Sequence, residues 1–237
     1  MARQFLIFSL SLFSTFLVSC SKDKNNPGTG FSDMPAAKSQ FDNNNYGIYK
    51  GIIAGSTGTI LFDINNSNSV FASVKLNDPV EGDLVTTFTT TQTVEQNKET
   101  TIEFKSVSGS FTFSVAANGT NPTITNINIA GHPNAVIVAI KETSTAIVKC
   151  FEGTFTGTDN GIFNAVIQNN NVAGIIKGSS GSAKLAPGTV TGNSVTATGA
   201  GSNAHVFTGT ISGNNISGNW TIPGTSNAGT WTSKRTF

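Results

Sequence analysis

The side chains that could do chemistry in this 237-residue chain are few and scattered. Its two histidines are His132, in a Gly-His-Pro-Asn turn, and His205, at the start of an apolar run. A zinc site needs three or four nitrogen, sulfur or oxygen ligands at recognisable spacing, and the sequence has no such cluster. We therefore expect two surface histidines, no metal and no cofactor. The segment Gly178–Ser182 is interpreted as a serine-rich hairpin, because no Gly-x-Ser-x-Gly elbow precedes a helical pattern.

Carboxylates offer a second route to hydrolysis, since glycosidases use two acids that face each other across a cleft. Asp63, Glu103 and Glu152 lie within strand-like runs. Further acids crowd the longest irregular segment, 77–101, which is interpreted as a solvated loop. A carboxylate-dependent hydrolase is therefore one candidate function, although the sequence favours a protein that is not an enzyme.

Aromatic side chains could form a sugar-binding face, because sugars stack on aromatic rings. Trp220 lies an even number of residues from the neighbouring isoleucines of its strand, so it shares their face, which predicts a core position. Trp231 lies near the C-terminal edge and is expected to be exposed. Together with Tyr46 and Tyr49, Trp231 is our candidate ligand-binding residue.

The charge balance limits the classes of partner that the chain is expected to bind. Leaving out residues 1–19 removes one basic residue, Arg3, so that 13 basic residues face 13 acidic ones. A neutral chain has no electrostatic basis for binding nucleic acid. Charged residues make up 11% of the chain, against about 25% in an average domain, and Thr, Ser, Asn and Gly take their place.

Apolar and polar residues alternate along most of the chain. Phe111, Phe113 and Val115 occupy every second position of one run, which is the pattern of a half-buried strand. Turn-forming pairs such as Asn118-Gly119 separate these runs. The sequence predicts an all-β fold, an antiparallel sandwich or barrel.

The chain also repeats itself. Tyr49-Lys50-Gly51 is echoed by Phe151-Glu152-Gly153, and the segment from Ile129 to Lys141 is echoed by that from Ile222 to Lys234. We predict two duplicated β-units packed together, spanning residues 47–142 and 143–237.

The last runs of the two copies differ in polarity. The segment 135–140 lacks alternation, which predicts burial on both faces at the junction between the units. Its counterpart, 228–233, is polar apart from one tryptophan and is expected to form an outer edge.

The first residues have the pattern of a secretory signal. One positive charge precedes an apolar stretch, Phe5–Val18, that is too short to span a bilayer of about 30 Å. The segment ends in Leu17-Val18-Ser19-Cys20, which resembles the lipobox of bacterial lipoproteins. The resemblance implies a signal peptide over residues 1–19, cleavage between Ser19 and Cys20, and acylation of Cys20 with palmitate-type chains.

The same resemblance implies a subcellular location. Inner-membrane lipoproteins usually carry Asp after the cysteine, and this chain has Ser21, so we expect a lipid anchor in the outer membrane. Whether the protein faces the periplasm or the cell surface stays open. Residues 20–46 are rich in Asn, Gly and Pro, which is typical of a flexible tether. With Cys20 acylated, Cys150 lies in an apolar strand as a buried thiol.

These observations favour an outer-membrane lipoprotein with a non-catalytic β-rich module that binds a glycan, a peptide or a protein. A barrel that carries a small apolar ligand is the alternative, and a carboxylate hydrolase is the third hypothesis.

Overall fold

Sixteen antiparallel strands account for most of the residues that the computed structural model describes, which are 31–78 and 82–237. A 3-10 helix, Ser39–Phe41, precedes them. The strands of the first unit are β1 Gly47–Ala54, β2 Gly58–Ile64, β3 Val70–Asp78, β4 Gly82–Thr89, β5 Thr100–Ser106, β6 Gly109–Val115, β7 Thr123–Ile129 and β8 Val136–Lys141. Those of the second unit are β9 Val148–Gly157, β10 Gly161–Gln168, β11 Asn171–Gly178, β12 Lys184–Thr191, β13 Ser194–Thr198, β14 Val206–Ser212, β15 Asn215–Thr221 and β16 Ala228–Arg235.

The two units have the same strand order, which confirms the predicted all-β duplication. In the first unit, β8 pairs with β1 and the remaining strands follow in sequence to β7. In the second unit, β16 pairs with β9 in the same way. Tyr49 faces Lys141 across β1 and β8, and Phe151 faces Arg235 across β9 and β16. Lys141 and Arg235 therefore occupy equivalent positions, one residue away from the Lys141–Lys234 match seen in the sequence.

The units differ in how they close. Strand β16 pairs with both β15 and β9, which makes the second unit a closed barrel. In the first unit β8 touches β7, but no ladder joins these two strands among the described residues. The expectation that residues 228–233 form an outer edge is wrong. Trp231 and Ser233 are buried on the inner face of β16, so the polar residues of this strand are only its outward half.

Each barrel interior is filled by large side chains. Five phenylalanines from four strands pack against one another in the first unit, at centroid distances of 4.6–5.9 Å. One pair meets edge to face, and the other four pairs are tilted. In the second unit Phe163 stacks on Phe207 at 4.3 Å, and both rings contact Trp231. Aromatic pairs of this kind stabilise a core beyond their buried area.

A third apolar cluster joins the two units. Its buried members come from β1, β9, β10 and β11, and residues of β8 pack against it. This confirms that the segment 135–140 lies at the junction. Cys150 is fully buried there, and burial raises the pKa of its thiol above the usual range.

Residues 31–46 are bound to the fold, so the predicted tether does not extend to residue 46. We call this segment the strap. Arg235, buried at the end of β16, donates to the carboxylate of Asp33 at 2.6 Å and to the carbonyl of Ser32 at 2.5 Å. Its equivalent Lys141 donates to the carbonyl of Phe41 at 2.6 Å and to that of Asn44. One segment thus satisfies a buried cation at the end of each unit.

Asparagine side chains fix the strap where it enters β1. Asn45 is fully buried and donates to the carbonyl of Glu95 and the hydroxyl of Thr100, and it accepts from the amide of Asn97. An Asn-rich composition predicts a flexible segment, whereas these side-chain amides complete hydrogen bonds that the loop 90–99 leaves open. No helix in the described ranges is long and apolar enough to cross a membrane.

Candidate functional site

One end of the second barrel forms a small cavity. Three hairpin connections meet there, those between β9 and β10, β11 and β12, and β13 and β14. The cavity has a volume of about 220 Å³, and most of its lining is glycine, alanine and serine. Asp159, Lys184 and His205 supply its titratable groups, and Ile176 its apolar floor. Barrel mouths are a frequent location for ligand sites.

His205 is held between aromatic rings and a carboxylate. Its ring lies 4.9 Å from that of Trp220 and 5.6 Å from that of Phe155, measured between centroids. Its Nε2 atom is buried and lies 3.5 Å from Oδ2 of Asp159. The expectation of a surface histidine is therefore wrong here, because the aromatic core of the barrel extends to the mouth and covers most of this ring.

Asp159 is itself oriented by its neighbours. Its Oδ1 accepts from the backbone amide of Asn160 at 2.7 Å and from the hydroxyl of Ser179 at 3.2 Å. A carboxylate beside one ring nitrogen favours the proton on that nitrogen. With the proton on Nε2, the ring directs it towards Asp159 across 3.5 Å, and Nδ1 is the acceptor of the ring.

The polar groups of the cavity suit a neutral ligand. The negative charge of Asp159 and the positive charge of Lys184 offset each other. The imidazole and the carboxylate accept hydrogen bonds, while the ammonium and the serine hydroxyls donate them. A hydroxyl group both donates and accepts, so a small polyhydroxylated molecule matches this set.

The predicted ligand-binding aromatics lie elsewhere. Trp231 is 1% exposed inside the second barrel, where its Nε1 donates to the carbonyl of Thr208 at 2.9 Å. Tyr49 is fully buried in the first unit, and its hydroxyl donates to the carbonyl of Asn45. Tyr46 is half-buried and donates to the carbonyl of Val94. Trp231 offers no ring face to solvent because the outward positions of β16 carry the polar residues of that strand. Tyr49 offers none because β1 is buried on both faces, one in the first unit and one at the junction.

The three candidate catalytic carboxylates take part in separate contacts. Asp63 is buried and accepts from the amide of Ser67. Glu103 is exposed and pairs with Lys105 at 2.8 Å. The segment 77–101 is also more ordered than a single loop, since β4 occupies 82–89.

Glu152 lies at the junction between the units. Its Oε2 accepts from Thr57 at 2.9 Å and from Asn77 at 2.6 Å, and both donors belong to the first unit. Its Oε1 is buried without a hydrogen-bond partner among the described residues. These contacts give Glu152 a role in fixing the two units together.

His132 lies in the turn that the sequence predicted, half-buried, with its Nδ1 against the hydroxyl of Ser56. Within the described residues, no group of three or more His, Cys, Asp and Glu side chains is placed to hold a metal ion.

Sequence reasoning missed Asp159 and Lys184 as site residues. The run Asp159-Asn160-Gly161 gives a turn signal, and that signal is correct, but nothing in it indicates that the turn lies beside His205. The serine-rich hairpin Gly178–Ser182 was identified, and it forms one wall of the cavity.

The lipobox Leu17–Cys20, with the cleavage residues Ser19 and Cys20, lies outside the described residues. Comparisons of the chain with protein-family models, with curated proteins and with solved structures gave no match.

Proposed function

We propose that this protein is an outer-membrane lipoprotein, anchored through acylated Cys20, whose β-units form a non-catalytic binding module. The motif Leu17-Val18-Ser19-Cys20 supports the lipid anchor, and Ser21 after it supports the outer membrane as its location. Two or more acyl chains hold a protein stably on a membrane, whereas one chain binds only marginally.

The cavity at the mouth of the second barrel carries the binding proposal. It is lined by a histidine, an aspartate and a lysine together with the apolar side chain of Ile176, as ligand sites usually combine a few polar groups with apolar surface. The ligand is a small neutral molecule with several hydroxyl groups, such as the terminal unit of a glycan. The barrel interior below the mouth is packed with aromatic rings, so the ligand is bound at the rim.

A binding measurement with matched histidine variants tests the site. The full chain, purified in detergent, is titrated with free monosaccharides and applied to immobilised glycans. We expect Asp159→Asn and His205→Ala to weaken binding about tenfold or more, since each removes one or more hydrogen bonds worth about 1–1.5 kcal/mol. His132→Ala is the control and keeps full affinity. A bound sugar that all three variants hold equally well would place the site elsewhere.

Because His205 packs on Trp220 and Phe155, its removal also weakens the fold. Asp159→Asn preserves the size of its side chain at a partly exposed position and separates binding from folding. If Asp159→Asn has the same unfolding midpoint and the same ligand affinity as the wild type, the cavity is not the binding site.

Intact-mass analysis of the chain isolated from membranes tests the anchor. We expect the N-terminal residue to be Cys20, carrying the added mass of acyl chains. Cys20→Ala abolishes that mass and releases the protein from the membrane, whereas Cys150→Ala, the matched control, changes neither. An uncleaved or unacylated N-terminus would refute the anchor without affecting the binding site.

A further inference from the structure

We infer that the molecule stands on the bilayer with the strap end towards the lipid, so that the cavity opens away from the membrane. This inference rests on the proposed acylation of Cys20. It follows from where the strap begins, from where the cavity lies on the same barrel, and from the side chains exposed around the strap.

The strap begins at one end of the second barrel. Phe31 and Asp33 contact Arg235, which is the last residue of β16. The guanidinium of Arg235, and more weakly the charge of Lys149, lower the pKa of the Asp33 carboxyl. The first described residue is therefore fixed beside the C-terminal end of β16 and the start of β9.

The cavity lies at the other end of the same strands. It is built on the end of β11 and on the loops that precede β10, β12 and β14, and β9 ends beside the first of these loops. Strand β16 begins at this end, where Ala228 follows the last connection, and runs to Arg235. Seven residue steps at 3.3 Å give about 23 Å along the strand, which a barrel tilt of 35–45° reduces to about 16–19 Å along the axis.

The covalent chain limits how far the strap end can be from the lipid. Eleven residue steps separate Cys20 from Phe31, so the contour length is at most about 40 Å. The strap end is the end through which the chain continues to Cys20, and this length is the upper limit of its distance from the lipid. Because the barrel is shorter than this limit, the surface around the strap must determine which end faces the bilayer.

The surface around the strap suits a lipid interface. Met34 is 75% exposed, and Lys38 is also exposed. Lys149 lies close enough to Asp33 to act on its charge. Exposed apolar and basic side chains together match lipid headgroups and the acyl region beneath them.

Energy transfer to the membrane tests the orientation. Single cysteines replace Asn193, in the turn at the strap end, and Ser202, in the loop at the cavity, in otherwise full-length acylated protein. Both positions are exposed, and the buried Cys150, with its raised thiol pKa, does not compete for the label. The labelled proteins are added to preformed phosphatidylethanolamine–phosphatidylglycerol vesicles that contain a lipid-linked acceptor dye.

We expect the Asn193→Cys label to lie closer to the lipid than the Ser202→Cys label, by a distance on the order of 15 Å. Equal or reversed distances in protein that floats with the vesicles would overturn the orientation and leave the anchor intact. If the wild-type chain does not float with vesicles, or floats equally well as Cys20→Ala, the anchor itself fails.

Discussion

Replacing Asn164 with alanine should destabilise both units through one buried side chain. Asn164 lies on β10, is fully buried, and faces the first unit. Its Nδ2 donates to the carbonyl of Ile53 at 2.8 Å, and its Oδ1 accepts from the amide of Gly153 at 3.1 Å. The ladder between β9 and β10 lacks its register pairs at this point, so the side chain replaces a strand partner while also bonding to the other unit.

The expected cost follows from the groups that are left without partners. Asn164→Ala leaves the backbone amide of Gly153 without its acceptor, and it removes the hydrogen bonds to the carbonyl of Ile53 and the hydroxyl of Thr57. The unsatisfied amide costs about 1–3 kcal/mol and each of the two lost hydrogen bonds about 0.5–1.5 kcal/mol, so the variant should lose about 2–6 kcal/mol. For a chain of this size 1 kcal/mol shifts Tm by about 2–4 °C, which gives a fall of roughly 4–24 °C.

Two optical probes make the measurement informative. Both tryptophans, Trp220 and Trp231, are buried in the second unit, so fluorescence follows that unit alone, whereas far-UV circular dichroism follows the strands of both. The wild-type chain should give coincident urea transitions, and Asn164→Ala should lower the midpoint by both probes. Asn193→Ala, an exposed asparagine in a turn, should stay within about 0.5 kcal/mol. An Asn164→Ala variant as stable as this control would refute the reasoning.

Three further outcomes follow from buried groups. Burial raises the pKa of the Cys150 thiol above its ordinary value of 9.0. The stability that this shift contributes is present below pH 9 and is lost as pH rises. Between pH 8 and 10.5 the free energy of unfolding of the wild type, measured by urea unfolding, should fall by about 2 kcal/mol more than that of Cys150→Ala. Arg235→Met should release the start of the strap and speed its cleavage by a broad-specificity protease, whereas the exposed neighbour Lys234→Met should not. Lys50→Met leaves the carboxylate of Glu142 buried without its charged partner at 2.6 Å and should cost about 3–5 kcal/mol. Glu142 also accepts from the amides of Ala36 and Val148, so the second variant is Lys50→Met/Glu142→Gln, which removes the charge and keeps an acceptor; a double variant no more stable than the single one would contradict this reasoning.

The alternation of side chains made the strands and the duplication predictable. Phe111 and Phe113 are buried at the parity that the sequence indicated, because a pleated strand turns every second residue to the same face. The non-alternating run 135–140 likewise indicated the junction, since only a strand covered on both sides has no polar face.

The position of polar groups in space was not predictable in this way. Asp159 and His205 are brought together by two hairpin connections, and no local pattern encodes the distance between two turns. Trp231 was expected to be exposed because its neighbours are polar, yet those neighbours are the outward half of a strand that closes the barrel. Alternation fixes which residues share a face, but it does not say which strand lies at an edge.

The strap shows why a duplicated sequence does not give two independent halves. Lys141 and Arg235 are equivalent buried cations, and each needs hydrogen-bond acceptors at the end of the strand that carries it. The first unit is preceded by a segment long enough to supply them, whereas only six residues, 142–147, separate β8 from β9. The acceptors for Arg235 therefore come from the start of the strap, and those for Lys141 from its end. The second unit depends on residues that precede the first, and this dependence also fixes the point from which the chain continues towards its N-terminus.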